Sequence, residues 1–177
     1  MNADIKKRNV NIIKYFAFLR NNANAPVQVK VKVLEACVMS SLLYNAKTWA
    51  NTKIDRLEVV YRRMLKAILG IGITTCTEFP YIELGVPSIR TRIEMKQWEF
   101  WKKVNELDDG TPLKHVITTA ERYKLKEVKH YVDLVSKFSS KQEIEEQFYE
   151  KTKESIRKKA ENGKIQIHYI FTNQPQP

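Results

Sequence analysis

The stretch VKVLEACVMSSLLYNAKTWANTKIDRLEVVYRRMLKAILG, residues 31–70, decides the fold because it is the most hydrophobic and most regularly patterned part of the chain. It predicts two helices joined by a short polar turn. On the first, apolar residues recur at steps of three and four, so they share one helix face. They are Val27, Val31, Leu34, Val38 and Leu42. The other faces of its second half are apolar too, which predicts a buried helix. The residues there are Ala36, Cys37, Met39 and Leu43.

The second predicted helix runs from about Ile54 to Leu69 and lies between two helix-ending residues. Asn45 ends the first helix in the left-handed conformation, which asparagine tolerates better than most residues, and Gly70 ends the second. One stripe of the second helix is apolar: Leu57, Tyr61, Met64, Leu65 and Ile68. The opposite side carries cations: Arg56, Arg62, Arg63 and Lys66. We therefore expect one side to enter a core and the other to face a partner.

Residues 27–33 alternate strictly between apolar and polar side chains, as a half-buried strand would. No neighbouring segment offers a pairing strand, and the stripe with helical spacing continues well beyond residue 33. We therefore expect a helix here.

This central stretch resembles the region downstream of the polymerase palm in reverse transcriptases of non-LTR retrotransposons. The matching residues are Ser40, Leu42, Leu43, Tyr44, Trp49, Leu57, Arg62, Arg63, Leu65, Ile68, Leu69 and Gly70. The pattern continues through Tyr81, Leu84-Gly85 and Phe100-Trp101 and covers roughly residues 5 to 105. Two positions depart from it. The family usually has glycine at Asn45 and an acid at Lys47, and the second change reverses a charge.

The resemblance implies a thumb-like helical region that lies along a template–primer duplex. Such enzymes hold two metal ions with palm carboxylates, in an aromatic-x-Asp-Asp hairpin and a further upstream Asp. Asp108-Asp109 is the one Asp-Asp pair of this sequence, and it follows the thumb-like region instead of preceding it. Gly110 and Pro112 come directly after it, so we interpret it as a turn. We expect no polymerase activity from this chain alone, and the implied further partners are the polymerase domains of a longer parent protein.

Charge is unevenly distributed along the chain. The 177 residues carry a net charge of +11, of which residues 1–75 hold +9, with 13 Lys/Arg against 4 Asp/Glu. A basic first half indicates a polyanion surface. We predict nucleic-acid contacts from Arg56, Arg62, Arg63 and Lys66, with further contributions from Lys6, Lys7 and Arg8. Contacts of this kind follow the phosphate backbone and do not read sequence.

No motif in the sequence predicts a cofactor, a metal site or a membrane span. The three histidines are scattered, and Cys37 and Cys76 have no CxxC or CxxH partner. Two thiols without a disulfide framework predict an intracellular protein, in the cytoplasm or the nucleus. No apolar run approaches the roughly 18 residues of a membrane span.

Further helices are predicted on both sides of the central pair. They span residues 4–22, from Ser88 to about Leu107, from about Thr118 to Phe138, and from the Ser140 capping box to Asn162-Gly163. We expect Leu125, Val128, Val132 and Val135 to point inward. Trp98, near Arg92 and Lys102, could stack on a base from the surface, but we expect it to pack under the C-terminal region. The alternating residues Ile165, Ile167, Tyr169 and Phe171 predict an extended tail that docks on the fold.

These patterns predict an all-α fold: a compact thumb-like bundle over residues 1–108, and a looser helical extension over residues 109–177. The leading functional hypothesis is binding of a template–primer duplex, without catalysis and without sequence specificity. The alternative is a helical protein-interaction or structural module with no nucleic-acid role. Salt-dependent binding to a duplex separates the two.

Overall fold

The computed structural model describes the backbone of residues 2–49 and 53–163, and the side chains of residues 12–49, 53–126 and 128–163. The described chain is all-α, as predicted, and contains no strand. The helices are α1 (Asn2–Asn21), α2 (Val27–Val33), α3 (Ser40–Leu42), α4 (Asp55–Leu69), α5 (Phe79–Leu84), α6 (Ile89–Asn105), α7 (Pro112–Arg122), α8 (Lys126–Lys137) and α9 (Lys141–Glu161). The predicted tail beyond residue 163 lies outside the described residues.

A π-helix (Leu34–Met39) joins α2 to α3, so residues 27–42 form one continuous helix. The helical interpretation of residues 27–33 is confirmed. A π-helix has hydrogen bonds from i to i+5 and therefore holds one extra residue per turn. Leu34, Val38 and Leu42 are buried as predicted, but Cys37 is exposed. Of the residues predicted to bury its other faces, Met39 and Leu43 are buried, but Ala36 and Cys37 are exposed. The prediction was therefore wrong for the side of the helix that carries Ala36 and Cys37.

Left-handed residues end both helices of the central pair, as predicted. Asn45 has φ +57° and is followed by a 3-10 turn (Ala46–Thr48), and Gly70 has φ +67° at the end of α4. Only glycine and, less readily, asparagine adopt this conformation at low cost. The chain therefore reverses at both points, and α4 returns against the first helix.

The main core lies between α1, the π-helix, α3, α4 and the first part of α6. Its fully buried side chains include Leu34, Leu42, Tyr61, Met64, Leu65 and Ile89. Trp49 is half-buried against this core. The predicted stripe of α4 thus faces inward, and this burial fixes which side of α4 points to solvent.

Two smaller clusters join α6 to the C-terminal helices. Trp101 and Val104 of α6 pack with Ile117 of α7 and with Val128 and Tyr131 of α8. In the second cluster, Trp98 contacts the group Leu134, Phe138 and Ile144, and its Nε1 donates to the Phe138 carbonyl at 2.9 Å. The prediction that Trp98 packs under the C-terminal region is confirmed. The division into two domains after residue 108 stays a prediction.

The predicted single helix from Thr118 to Phe138 was wrong. Residues 123–125 separate α7 from α8, and Lys124 adopts φ +52°. Leu125 and Val132 are exposed, whereas Tyr131 and Leu134 are buried in their place. Val128 is buried and Val135 packs against the same cluster, as predicted. The inward stripe of α8 is therefore shifted toward Tyr131 and Leu134, and only Leu125 and Val132 of the predicted stripe face solvent.

Candidate nucleic-acid interface

The outer face of α4 carries the two most exposed cations of the predicted site. Arg56 and Arg63 lie opposite the buried stripe, and Val59 (40% exposed) and Ala67 occupy the same side. The two arginines are two helical turns apart, which is about 10 Å along the axis at 1.5 Å per residue. Within the described residues, neither guanidinium forms an ion pair or a hydrogen bond. Both are therefore available to an anionic partner.

The contacts of the two acids of α4 are with α5 and α6. Glu58 accepts a hydrogen bond from the Arg90 backbone N–H at 2.8 Å through Oε1, and one from the Tyr81 hydroxyl at 3.1 Å through Oε2. Asp55 lies 3.8 Å from the Arg90 guanidinium. The carboxylate of Glu58 thus stabilises the first turn of α6, where a negative charge is favoured. Among the described residues, it forms no ion pair with Arg56 or Arg63.

Lys66 does not belong to the exposed face, and its prediction as a binding cation was wrong. Its side chain is 5% exposed. Its Nζ donates to the carbonyl of Ile73 at 2.7 Å and to that of Thr75 at 2.5 Å. A buried ammonium group needs such partners. The loop after α4 folds back over Lys66, so this lysine stabilises the loop and is closed to a ligand.

Arg62 lies between the exposed face and the core side of α4. It is half-exposed and forms no ion pair among the described residues. Its charge also acts on Tyr81: burial raises the pKa of the Tyr81 hydroxyl, Glu58 raises it further, and Arg62 opposes both. Arg62 is thus close to Tyr81, at the edge of the arginine face. Together, Arg56, Arg62 and Arg63 form what we call the arginine face.

Lys6, Lys7 and Arg8 fall within α1, but their side chains lie outside the described residues. Their predicted contribution to the interface therefore stays a prediction.

Nothing in the described part of the chain groups three or more potential metal ligands. Asp108-Asp109 forms the predicted turn, in which the Thr111 N–H donates to the Asp108 carbonyl at 2.9 Å. His130 has a side chain as its partner: its Nε2 lies 2.9 Å from Oε1 of Gln97, and burial lowers the pKa of the imidazole. Among the described helices, none is both long enough and apolar enough to cross a membrane.

One network near the interface could not be anticipated from local patterns. Arg92 of α6 donates to both carboxylate oxygens of Glu35, at 2.8 Å and 2.7 Å, and to the Tyr61 hydroxyl at 3.3 Å. Glu35 precedes Arg92 by 57 residues. No periodicity or cap connects residues at that separation. This network fixes α6 and the π-helix relative to α4, and so fixes the orientation of the arginine face.

Comparison with known proteins gave no match, whether with models of protein families, with curated proteins or with solved structures. The proposed function therefore rests on the arginine face and its neighbours.

Proposed function

We propose that this chain binds the phosphate backbone of a nucleic-acid duplex through the arginine face, without sequence specificity and without catalysis. The observation that carries the proposal is the separation of charges on α4. Its acids are directed to Arg90 and Tyr81, while Arg56 and Arg63 stay exposed and unpaired within the described residues. Cations two turns apart on one helix face suit successive phosphates, which carry no base information.

The proposal includes the wider setting that the resemblance implies. The chain would act as the thumb-like, post-palm part of a non-LTR retroelement polymerase, inside the cell and on a template–primer duplex of RNA or DNA. The palm carboxylates that hold two metal ions would belong to other domains of a parent protein. We expect no primer extension by the isolated chain with Mg²⁺ or Mn²⁺. Extension that survives purification and is abolished by Asp108→Ala would contradict this part of the proposal.

The binding claim is tested by the salt dependence of affinity for a short duplex. Each phosphate contact releases counterions, so log affinity falls with log salt at about 0.9 per contact on duplex DNA. The two or three contacts of the arginine face imply a slope of about −2 to −3. Arg56→Ala with Arg63→Ala should reduce the slope by roughly 1–2, and should weaken unrelated duplex sequences alike.

A matched control removes two exposed cations elsewhere. Lys153 and Arg157 of α9 pair with Glu150 and Glu161 of their own helix. Lys153→Ala with Arg157→Ala lowers the net charge of the chain by the same amount. The slope of log affinity against log salt should nevertheless stay equal to that of the parent chain. An equal loss in the two double variants would indicate binding by overall charge. A slope that the Arg56/Arg63 variant does not change would favour the interaction-module hypothesis.

A further inference from the structure

We propose that a cleft between the Tyr44–Lys47 turn and α6 binds a single nucleotide unit, with its base on Tyr44 and its phosphate on lysines. The cleft has a volume of about 390 Å³. That volume falls within the roughly 300–1,000 Å³ of small-molecule sites. None of its lining residues belongs to α4, so the proposal goes beyond the arginine face and does not depend on it.

One wall of the cleft is a single face of α6. Lys96, Glu99, Phe100 and Lys103 line it, and their spacing of three and four places them on one side of the helix. The other wall is the segment from Leu43 to Lys47. The left-handed residue Asn45 lies in this segment, and the reversal of the chain there produces the cleft.

The cleft has an excess of positive charge. Lys47, Lys96 and Lys103 line it, against one acid, Glu99. Glu99 is already paired: it lies 3.3 Å from Lys103 and 3.5 Å from Lys141, which stands outside the lining. The lysines therefore outnumber the carboxylate that could neutralise them, and Lys96 forms no ion pair within the described residues. A phosphate group bound in the cleft would neutralise this excess positive charge.

An aromatic surface stands beside these cations. The Tyr44 side chain is 73% exposed, although a large aromatic residue normally gains free energy by burial. Phe100 lines the same cleft, and the Lys47 Nζ lies 5.3 Å from the centroid of its ring. Exposed aromatic rings next to cations are the features that bind unpaired bases by stacking.

The turn that carries Tyr44 and Lys47 is held rigidly. The Asn45 amide nitrogen donates to the Thr48 hydroxyl at 3.1 Å. The Tyr131 hydroxyl of α8 donates to the Lys47 carbonyl at 2.7 Å, and its ring stacks on Trp101 with centroids 5.3 Å apart. The site therefore exists before the ligand arrives, which lowers the entropic cost of binding.

The combination selects the ligand class. Inorganic phosphate would use the lysines and leave Tyr44 in solvent, whereas an uncharged aromatic ligand would use Tyr44 and leave the lysines without an anion. A nucleotide uses both. It can be a free nucleotide or an unpaired nucleotide in a strand, and the experiment separates these two sources.

The test measures the affinity of the full chain for three probes: a single-stranded dT6 oligonucleotide, free TMP and inorganic phosphate. Base stacking on one aromatic side chain implies that Tyr44→Ala weakens dT6 binding by roughly 5- to 150-fold, whereas Tyr44→Phe stays within about twofold of the parent chain. Lys47→Ala with Lys103→Ala should lower the salt slope by about 0.7 for each single-strand phosphate that the variant no longer neutralises.

Two matched controls come from the same chain. Tyr123 is also 73% exposed, so Tyr123→Ala removes an equally accessible aromatic ring that does not line the cleft. Lys153, like Lys103, pairs with a glutamate of its own helix. Tyr123→Ala should leave the affinity for dT6 unchanged, and Lys153→Ala with Arg157→Ala, which also removes two cations, should leave the salt slope unchanged. Because Tyr44 is exposed, Tyr44→Ala should also keep the melting temperature, which verifies that the variant is folded.

Each result decides the proposal. A Tyr44-dependent affinity for TMP supports a free-nucleotide site, and a Tyr44-dependent affinity for dT6 alone supports a strand site. Equal affinities of Tyr44→Ala and the parent chain for both probes would overturn the proposal, as would a loss no larger than that of Tyr123→Ala. The Arg56→Ala, Arg63→Ala variant should still bind these probes through Tyr44, so failure of the duplex interface is distinguishable from failure of the cleft.

Discussion

A lysine ammonium group that is withdrawn from water must find hydrogen-bond acceptors, because its desolvation is costly. Lys66, which is buried, finds two in the carbonyls of Ile73 and Thr75. One side chain thus fixes the course of the loop that follows Gly70. Arg63, one turn earlier on the same helix, makes no such contact and stays in solvent.

We predict that Lys66→Met lowers the free energy of unfolding by about 1–3 kcal/mol, because the stem is kept while the hydrogen bonds to the two carbonyls disappear. Arg63→Met, the control on the exposed face, should stay within about 0.5 kcal/mol. Denaturant titration measures both. Equal stabilities of the two variants would mean that Lys66 does not hold the loop.

The helical pattern predicted the direction of Arg63 but not that of Lys66. A helical wheel assigns an angle to each residue, and Lys66 lies at the border between the buried stripe and the outer face. Whether a border residue is exposed depends on what covers it. Here the cover is the loop from Ile71 to Cys76, and no local pattern indicates that this loop folds back over α4.

Among the elements, the connection between α7 and α8 stores backbone strain at one residue. Lys124 has φ +52°, a conformation that costs a non-glycine residue roughly 1–2 kcal/mol. Its N–H donates to the Glu121 carbonyl at 2.9 Å, and the Leu125 N–H donates to the Ala120 carbonyl at 3.1 Å, which closes the end of α7. Neither glycine nor proline marks this helix end, which is why the sequence predicted one uninterrupted helix.

Lys124→Gly should therefore raise the free energy of unfolding by up to about 1 kcal/mol, since glycine adopts positive φ without strain. Lys129→Gly, at an exposed position inside α8, should lower it by up to about 1 kcal/mol, because glycine weakens the interior of a helix. Thermal or denaturant unfolding of the two variants provides the comparison. A change of the same sign in both would argue against a strained Lys124.

The C-terminal helix of the described chain, α9, is attached to the α4–α5 connection through Glu78. Glu78 Oε1 accepts hydrogen bonds from Lys159 Nζ at 2.5 Å and from the Ser155 hydroxyl at 3.2 Å, and Oε2 accepts one from Thr77. Partial burial acts to raise the pKa of Glu78, but the bonds from Lys159, Cys76 and Thr77 outweigh it and lower the pKa to about 2. The carboxylate is thus charged when it holds α9.

This low pKa makes the attachment dependent on pH. A carboxyl whose pKa is lower in the folded state than its ordinary value of 4.5 stabilises the fold fully above about pH 4.5. That contribution disappears as pH falls toward 2. The stability difference between the parent chain and Glu78→Gln should therefore be largest near pH 6 and shrink between pH 4.5 and 2, as followed by urea unfolding. A difference that is constant with pH would contradict the assignment.

For the whole molecule, the pair Arg92–Glu35 joins α6 to the π-helix, and Tyr61 of α4 completes the junction. The Arg92 and Glu35 side chains are 18% and 34% exposed. A two-point contact between a guanidinium and a carboxylate fixes relative orientation as well as distance. Loss of one partner should therefore weaken the packing of α4, α6 and the π-helix against one another.

We expect Arg92→Met to lower the free energy of unfolding by about 3 kcal/mol, because it leaves the Glu35 carboxylate without its partner. In a double-mutant cycle, Arg92→Met with Glu35→Met should cost less than the sum of the single changes, by about 1–3 kcal/mol. Denaturant titration measures these changes. The exposed pair Glu154–Lys158 is the control, and Lys158→Met should leave the midpoint of the unfolding curve unchanged. Strict additivity of the Arg92 and Glu35 changes would mean that the junction is not coupled.

The parts of the architecture that were predictable have local causes. Asn45, Gly70, Ser88 and Ser140 end or begin helices by their own backbone or side-chain chemistry, and the structure places all four as expected. The Arg92–Glu35 junction and the Tyr44 cleft depend on contacts between distant residues. Such contacts follow only once the helices are packed, so a single sequence without that packing could not supply them.

The π-helix at Leu34–Met39 has a consequence for how this chain tolerates changes in length. Each i to i+5 bond spans one residue more than an α-helical bond. Removing one residue from the π segment therefore leaves an ordinary α-helix, and the residues before and after it keep their orientation toward the core. Cys37 is exposed and stands in the middle of that segment. A one-residue deletion in α4 would instead rotate everything after it by about 100°, and so turn its arginines against its own core. Among the helices of the central pair, the first is therefore the one that can lose a residue and keep its packing.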